Sequence, residues 1–127
     1  MWPTGPRTNY RWFPGIVRVT MPGMTRIAEQ VETWPGVHAA SGSRGEYSFK
    51  VGAREIGHLH GTRVAHFGFP KAIWQELYDA GRIDYHPVFP GKPGFGARDI
   101  RSADDEADVI AILRLQYDRV VSKHGLP

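Results

Sequence analysis

Residues 46 to 69 read Glu46-Tyr47-Ser48-Phe49-Lys50-Val51-Gly52-Ala53-Arg54-Glu55-Ile56-Gly57-His58-Leu59-His60-Gly61-Thr62-Arg63-Val64-Ala65-His66-Phe67-Gly68-Phe69, and their reading decides the fold. Three strand-like runs, Glu46 to Val51, Arg54 to His60 and Arg63 to Phe69, are joined by Gly52-Ala53 and Gly61-Thr62, two-residue links of the hairpin kind. If both links are two-residue turns, Val51 faces Arg54, Phe49 faces Ile56, Tyr47 faces His58, and on the other side His60 faces Arg63 and Ala65 faces His58. One face, the expected core face, then carries Tyr47, Phe49, Val51, Arg54, Ile56, His58, His60, Arg63, Ala65, Phe67 and Phe69. The other carries Glu46, Ser48, Lys50, Glu55, Leu59, Val64 and His66, with Lys50 opposite Glu55. His58 and His60, two residues apart in a strand, point the same way. A one-residue bulge at Gly57 would swing Glu55 onto the histidine face.

Working outward, Thr25 is the expected cap of a helix whose apolar face is Ile27, Ala28, Val31 and Trp34 and which Pro35-Gly36 ends. After the meander a second helix is predicted over about Pro70 to Ala80, with Ile73, Trp74, Leu77 and Tyr78 buried and Gly81 as its stop. Asp84-Tyr85-His86-Pro87-Val88-Phe89, a Gly/Pro loop from Pro90 to Gly96 and a strand at Ala97 to Ile100 come next. A last helix opens on Ser102, its Asp104, Asp105 and Glu106 matched to the positive end of the helix dipole. Its stripe is Val109, Ile112, Leu113, Gln116, Tyr117, Val120 and Val121, and Lys123-His124-Gly125 closes it. The expected fold class is α+β, an antiparallel sheet of about four to five strands with three helices in the order α-β-β-β-α-β-β-α.

The 127 residues fit one domain. Residues 1 to 23, rich in Pro, Gly, Arg and aromatics, read as an irregular arm with a short strand at Gly15 to Val19, and residues 24 to 127 as the folded unit. Met21 and Met24 are alternative starts to Met1. No run approaches the roughly 18 apolar residues of a membrane helix, and the start lacks the apolar stretch of a secretory signal. Cysteine is absent, which removes disulfides and thiol chemistry and fits a reducing compartment. A cytoplasmic protein without a membrane partner is expected. Net charge is +3, and Arg7, Arg11 and Arg18 account for it; beyond them 13 basic residues meet 13 acidic ones. With no basic face or run, nucleic acid is not an expected partner. Oligomeric state is left open.

The chain resembles the family of luciferase-domain proteins. The resemblance rests on Trp34-Pro35-Gly36-Val37, Arg54-Glu55-Ile56-Gly57-His58-Leu59-His60, Phe69-Pro70, Gly81-Arg82 followed by His86, and Leu113-Arg114-Leu115-Gln116-Tyr117-Asp118-Arg119. The Glu-x-Gly-His-x-His element with its downstream histidine is its most specific part. Where family members carry a tryptophan in the strand before the last helix, this chain has Phe95-Gly96-Ala97, which passes the aromatic role to Phe95. The family name implies oxidative, light-emitting chemistry, with no residue assignment attached to it. The element order is also similar, at the level of topology alone, to frataxin-like and YjbR-like domains.

The expected function is small-molecule binding in a histidine-containing pocket over the sheet. His60, Arg63, Tyr47, Trp74, Tyr85 and Phe95 are its ligand-binding residues, Phe67 a further wall, and Arg63 or Arg82 the anchor for an anion. If the protein is an enzyme, His58 or His86 is its general acid or base, in an oxidoreductase or isomerase-like proton transfer. His58, His60, His86 and Glu55 also offer donors that zinc, iron or nickel accept. The derived register puts Glu55 on the far face and Arg63 beside His60, so no metal is assigned and no cofactor is named. The alternative use of the same residues is a packed core with hydrogen-bonded histidines. The alternative function is a non-catalytic protein-interaction module using the arm's aromatics and the Pro90 to Gly96 loop. His38, His66 and His124 read as surface residues. No serine sits in a Gly-x-Ser-x-Gly elbow, and Pro90 to Gly96 lacks P-loop spacing.

Overall fold

A computed structural model describes residues 24–127 apart from Thr62; the expected arm, with its strand at Gly15 to Val19, lies outside the described residues. The elements are α1 (Met24–Val31), β1 (Val37–Ser41), β2 (Glu46–Val51), β3 (Arg54–His60), β4 (Val64–Gly68), α2 (Lys71–Asp79), β5 (Asp84–Tyr85), β6 (Phe95–Asp99) and α3 (Ala103–His124). The six strands form one antiparallel sheet in the order β1-β2-β3-β4-β6-β5. The α+β class and the order of elements are as expected, with β1 an added edge strand. Its residues, His38-Ala39-Ala40-Ser41, have little intrinsic strand preference, and pairing with β2 decides their conformation.

Each helix delivers its apolar stripe to one core. Ile27 and Val31 of α1, Trp74 and Leu77 of α2, and Val109, Ile112, Leu113 and Tyr117 of α3 bury themselves against Phe49, Val51, Ile56, Leu59, Ala65 and Phe67 of the sheet. Helix α1 already includes Met24, ahead of the expected cap at Thr25, and ends at Val31; Trp34 reaches the core from the turn that follows. Pro70 precedes α2, and Ser102 caps α3, its Oγ accepting from the Asp105 N–H at 3.1 Å. The acidic first turn of α3 does more than complement the dipole. Asp105 and Asp108 bind Arg98 of β6, Arg82 grips Asp108 through two nitrogens, and buried Glu106 takes Arg26 of α1 at 3.1 Å.

The expected register fails in two places. Val51 pairs with Arg54 and Lys50 with Glu55 as expected, but Phe49 then pairs with Gly57, so Ile56 is an extra residue on β3. Gly57 makes the bulge affordable: its φ is +154°, and a Cβ there would lie 2.6 Å from Leu113 Cδ2 and 3.2 Å from the His66 carbonyl oxygen. Beyond β3, His60 pairs with Val64, so the link to β4 spans residues 61–63 rather than Gly61-Thr62 alone. The bulge turns the end of β3 over. Leu59, expected on the wet face, is fully buried between Tyr47 and Ala65, and His58 and His60, expected on the core face, lie on the opposite one. Among the described residues no helix is long and apolar enough to cross a membrane.

Candidate functional site

On the sheet face turned away from the helices, the bulge assembles a histidine cluster. With Ile56 and Gly57 both spent on the core side, Glu55 shares the face of His58, and its Oε2 lies 2.7 Å from His58 Nδ1. His66 of β4 sits directly opposite His58 in the ladder, its Nδ1 3.3 Å from His58 Nε2. The His60 ring lies 5.0 Å from that of His58 and 4.6 Å from that of His66. The segment between β5 and β6 folds over the group, placing the His86 ring 4.0 Å from the His66 ring. His66, expected at the surface, is therefore only 7% exposed: it is on the face predicted for it, but the loop covers that face.

These imidazoles and Glu55 line a cavity of about 500 Å³, together with Arg44, Glu46, Phe67, Val88, Phe89 and Phe95. Its apolar rim is organised: the Phe89 and Phe95 rings stack at 4.4 Å, with the Lys92 ammonium 5.8 Å from each centroid. Val88, 71% exposed, stands at the mouth. Phe95 starts β6 rather than ending a loop, which holds it in place by its ladder with Gly68.

Hydrogen bonding and burial set the protonation of the group. The bond from the His58 ring holds the Glu55 carboxyl below its ordinary range, so Glu55 is an anion at neutral pH and accepts the His58 Nδ1 proton. Burial, then the neighbouring His86, His58 and His60 rings, push His66 down to about 4. His86 is lowered by burial and by His58 and His60. The Val88 N–H donates to His86 Nδ1 at 3.1 Å, so the proton of the neutral His86 ring is on Nε2. His66 Nε2 is buried without a hydrogen-bond partner. An orphaned buried nitrogen costs about 1–3 kcal/mol. His58, His60 and His66 each offer a nitrogen within 4.8 Å of the others, a spacing on which a metal ion can be held.

Of the residues singled out from sequence, His58, His60, His86 and Phe95 meet at this cavity, and Phe67 lines it. Arg63, Tyr47, Trp74 and Tyr85 do not. Arg63 is exposed in the link before β4. Tyr47 donates its hydroxyl to Glu32 at 2.8 Å on the helix side of the sheet. Trp74 is a core residue whose Nε1–H donates to the Phe95 carbonyl at 2.8 Å, bracing the rim from behind, and Tyr85 packs on Trp74 and Tyr78. Arg82 is committed to Asp108 and is not free to hold an anion. Arg44, from the turn between β1 and β2, also lines the cavity, and no sequence signal marks it. His66 and Glu55 were legible only through the bulge and the covering loop. Of the two grounds for setting a metal aside, Glu55 on the far face is overturned by the bulge, and His60 pairs with Val64 rather than Arg63.

Residues 53–116 match the family model described as Luciferase domain, a span that runs from the start of β3 into α3 and includes all four clustered histidines. No curated protein and no solved structure matches the chain.

Proposed function

This chain belongs to the luciferase-domain family, and we propose that it binds a planar, aromatic-bearing small molecule in the cavity over its histidine cluster. The observation that carries the reading is the pairing of four convergent imidazoles on the floor with a stacked Phe89–Phe95 rim in one cavity of about 500 Å³. Ligand sites have this character, mostly apolar walls with a few converging polar groups. The aromatic part of the ligand stacks at the rim, Arg44 at the edge attracts an anionic or phenolic oxygen, and His86, its proton on Nε2, donates to the polar end. His86 is then the acid or base of any proton transfer there, because Val88 fixes its tautomer. The interaction-module reading is not favoured, since Phe89 and Phe95 stack on one another at the rim of the histidine cavity rather than forming a surface apart from it.

The test is ligand-observed NMR with a panel of planar aromatic acids and phenols, on protein kept metal-free with a chelator. Binding that shifts the His86 and Phe95 ring signals, and is weakened about tenfold or more by Phe89→Ala, supports the reading. Binders that leave those signals unmoved, or no binders while the fold is intact, overturn it.

A further inference from the structure

We propose that His58, His60 and His66 form a three-histidine site for a divalent transition-metal ion, open toward the cavity. The geometry is already close to a coordination sphere. Two imidazole nitrogens at about 2.0–2.1 Å from a tetrahedral ion stand about 3.3 Å apart, and His58 Nε2 and His66 Nδ1 are 3.3 Å apart. His60 places a third nitrogen within 4.8 Å of both. Glu55 does what a carboxylate behind a ligating histidine does. It takes the Nδ1 proton of His58 at 2.7 Å, leaving the Nε2 lone pair to the ion and fixing the ring. His66, nine-tenths buried, faces His58 through Nδ1, the nitrogen the site would use, while its Nε2 has no partner on the other side of the ring.

Donor chemistry narrows the ion. Three imidazoles without thiolate or carboxylate in the first sphere suit zinc, cobalt, nickel or iron and do not suit magnesium or calcium. Three protein ligands also leave a position for water or substrate, as in catalytic rather than structural sites. His86 stays outside the sphere, because Val88 occupies its Nδ1 and its Nε2 carries the proton; it donates instead to whatever fills the open position.

This deepens the reading of the same cavity, and its test uses the metal alone, so that either claim can fail without the other. Tag-free, chelator-stripped protein is titrated with Co²⁺, followed by its ligand-field absorption, and with Zn²⁺ by calorimetry. One ion per chain with the strong bands of four- or five-coordinate cobalt is expected. His60→Ala, at the half-exposed corner of the cluster, abolishes the bands, Glu55→Gln weakens uptake about 10–100-fold, and the surface control His38→Ala binds as the parent does. Weak six-coordinate bands, no stoichiometric uptake, or uptake unchanged in a folded His60→Ala variant overturns the proposal.

Discussion

Gly57 is the residue on which the site turns. It is the only residue type that accepts φ +154° without strain while leaving room for the buried Leu113 and the His66 carbonyl. Its freedom lets Ile56 be an extra residue, and the extra residue moves Glu55, His58 and His60 to one face. Gly57→Ala is expected to cost about 1–3 kcal/mol, from backbone strain and overpacking together. A urea midpoint lowered with an unchanged slope checks it; a variant as stable as the parent would show that β3 reaches this geometry without the glycine. Glu55 illustrates the same dependence. In a regular strand it would sit across the sheet from His58, as alternation dictates, and only the bulge makes it that ring's partner.

Between elements, the turn after α1 and the second half of α3 hold each other. Tyr117 donates its hydroxyl to the Pro35 carbonyl at 2.6 Å, its ring lies 5.3 Å from Trp34, and the Arg114 guanidinium covers both rings at 5.1 and 5.0 Å. Trp34-Pro35-Gly36 and Arg114-Leu115-Gln116-Tyr117 are thus two halves of one clamp that seats α3 under the sheet. Tyr117→Phe keeps the ring packing and removes one hydrogen bond, so a loss of about 1 kcal/mol in thermal or chemical unfolding is expected, with the cobalt spectrum of the distant cavity unchanged. A spectral change would mean that the clamp also positions the histidines.

For the whole molecule, the ion network of Arg82, Arg98, Asp105 and Asp108 ties the β5–β6 side of the sheet to α3 and contributes to the pH dependence of stability in acid. Burial raises the Asp108 carboxyl, but hydrogen bonds from Arg82 and Arg98 outweigh that and hold it below its ordinary value. Asp105 is lowered first by Arg98 and then by the Arg101 N–H. In both cases the folded state binds fewer protons than the unfolded one, so stability rises with pH in this window. The contribution is fully present above the ordinary aspartate range, about pH 4, and is lost as pH falls through the lowered folded values. Asp108→Asn should be less stable than the parent at neutral pH and lose less on going below about pH 4; equal acid slopes in the two proteins would show that the network carries no linkage.

The sequence by itself determined the α+β class, the order of helices and strands apart from β1, the capping of α3 by Ser102 and the apolar stripes, because periodicity, turn residues and caps are local signals. It also brought His58, His60, His86 and Phe95 forward as a group. It did not determine which way β3 faces after Ile56, or that His66 is covered. Alternation carries a side-chain assignment along a strand only until one extra residue reverses it, and whether a strand bulges depends on the space that α3 leaves above Gly57. Burial of His66 depends on where the loop between β5 and β6 comes to rest, a contact some twenty residues away that no local pattern encodes. The tertiary structure therefore decided the partners: Glu55 for His58, His66 in the cluster, Arg44 rather than Arg63 at the cavity.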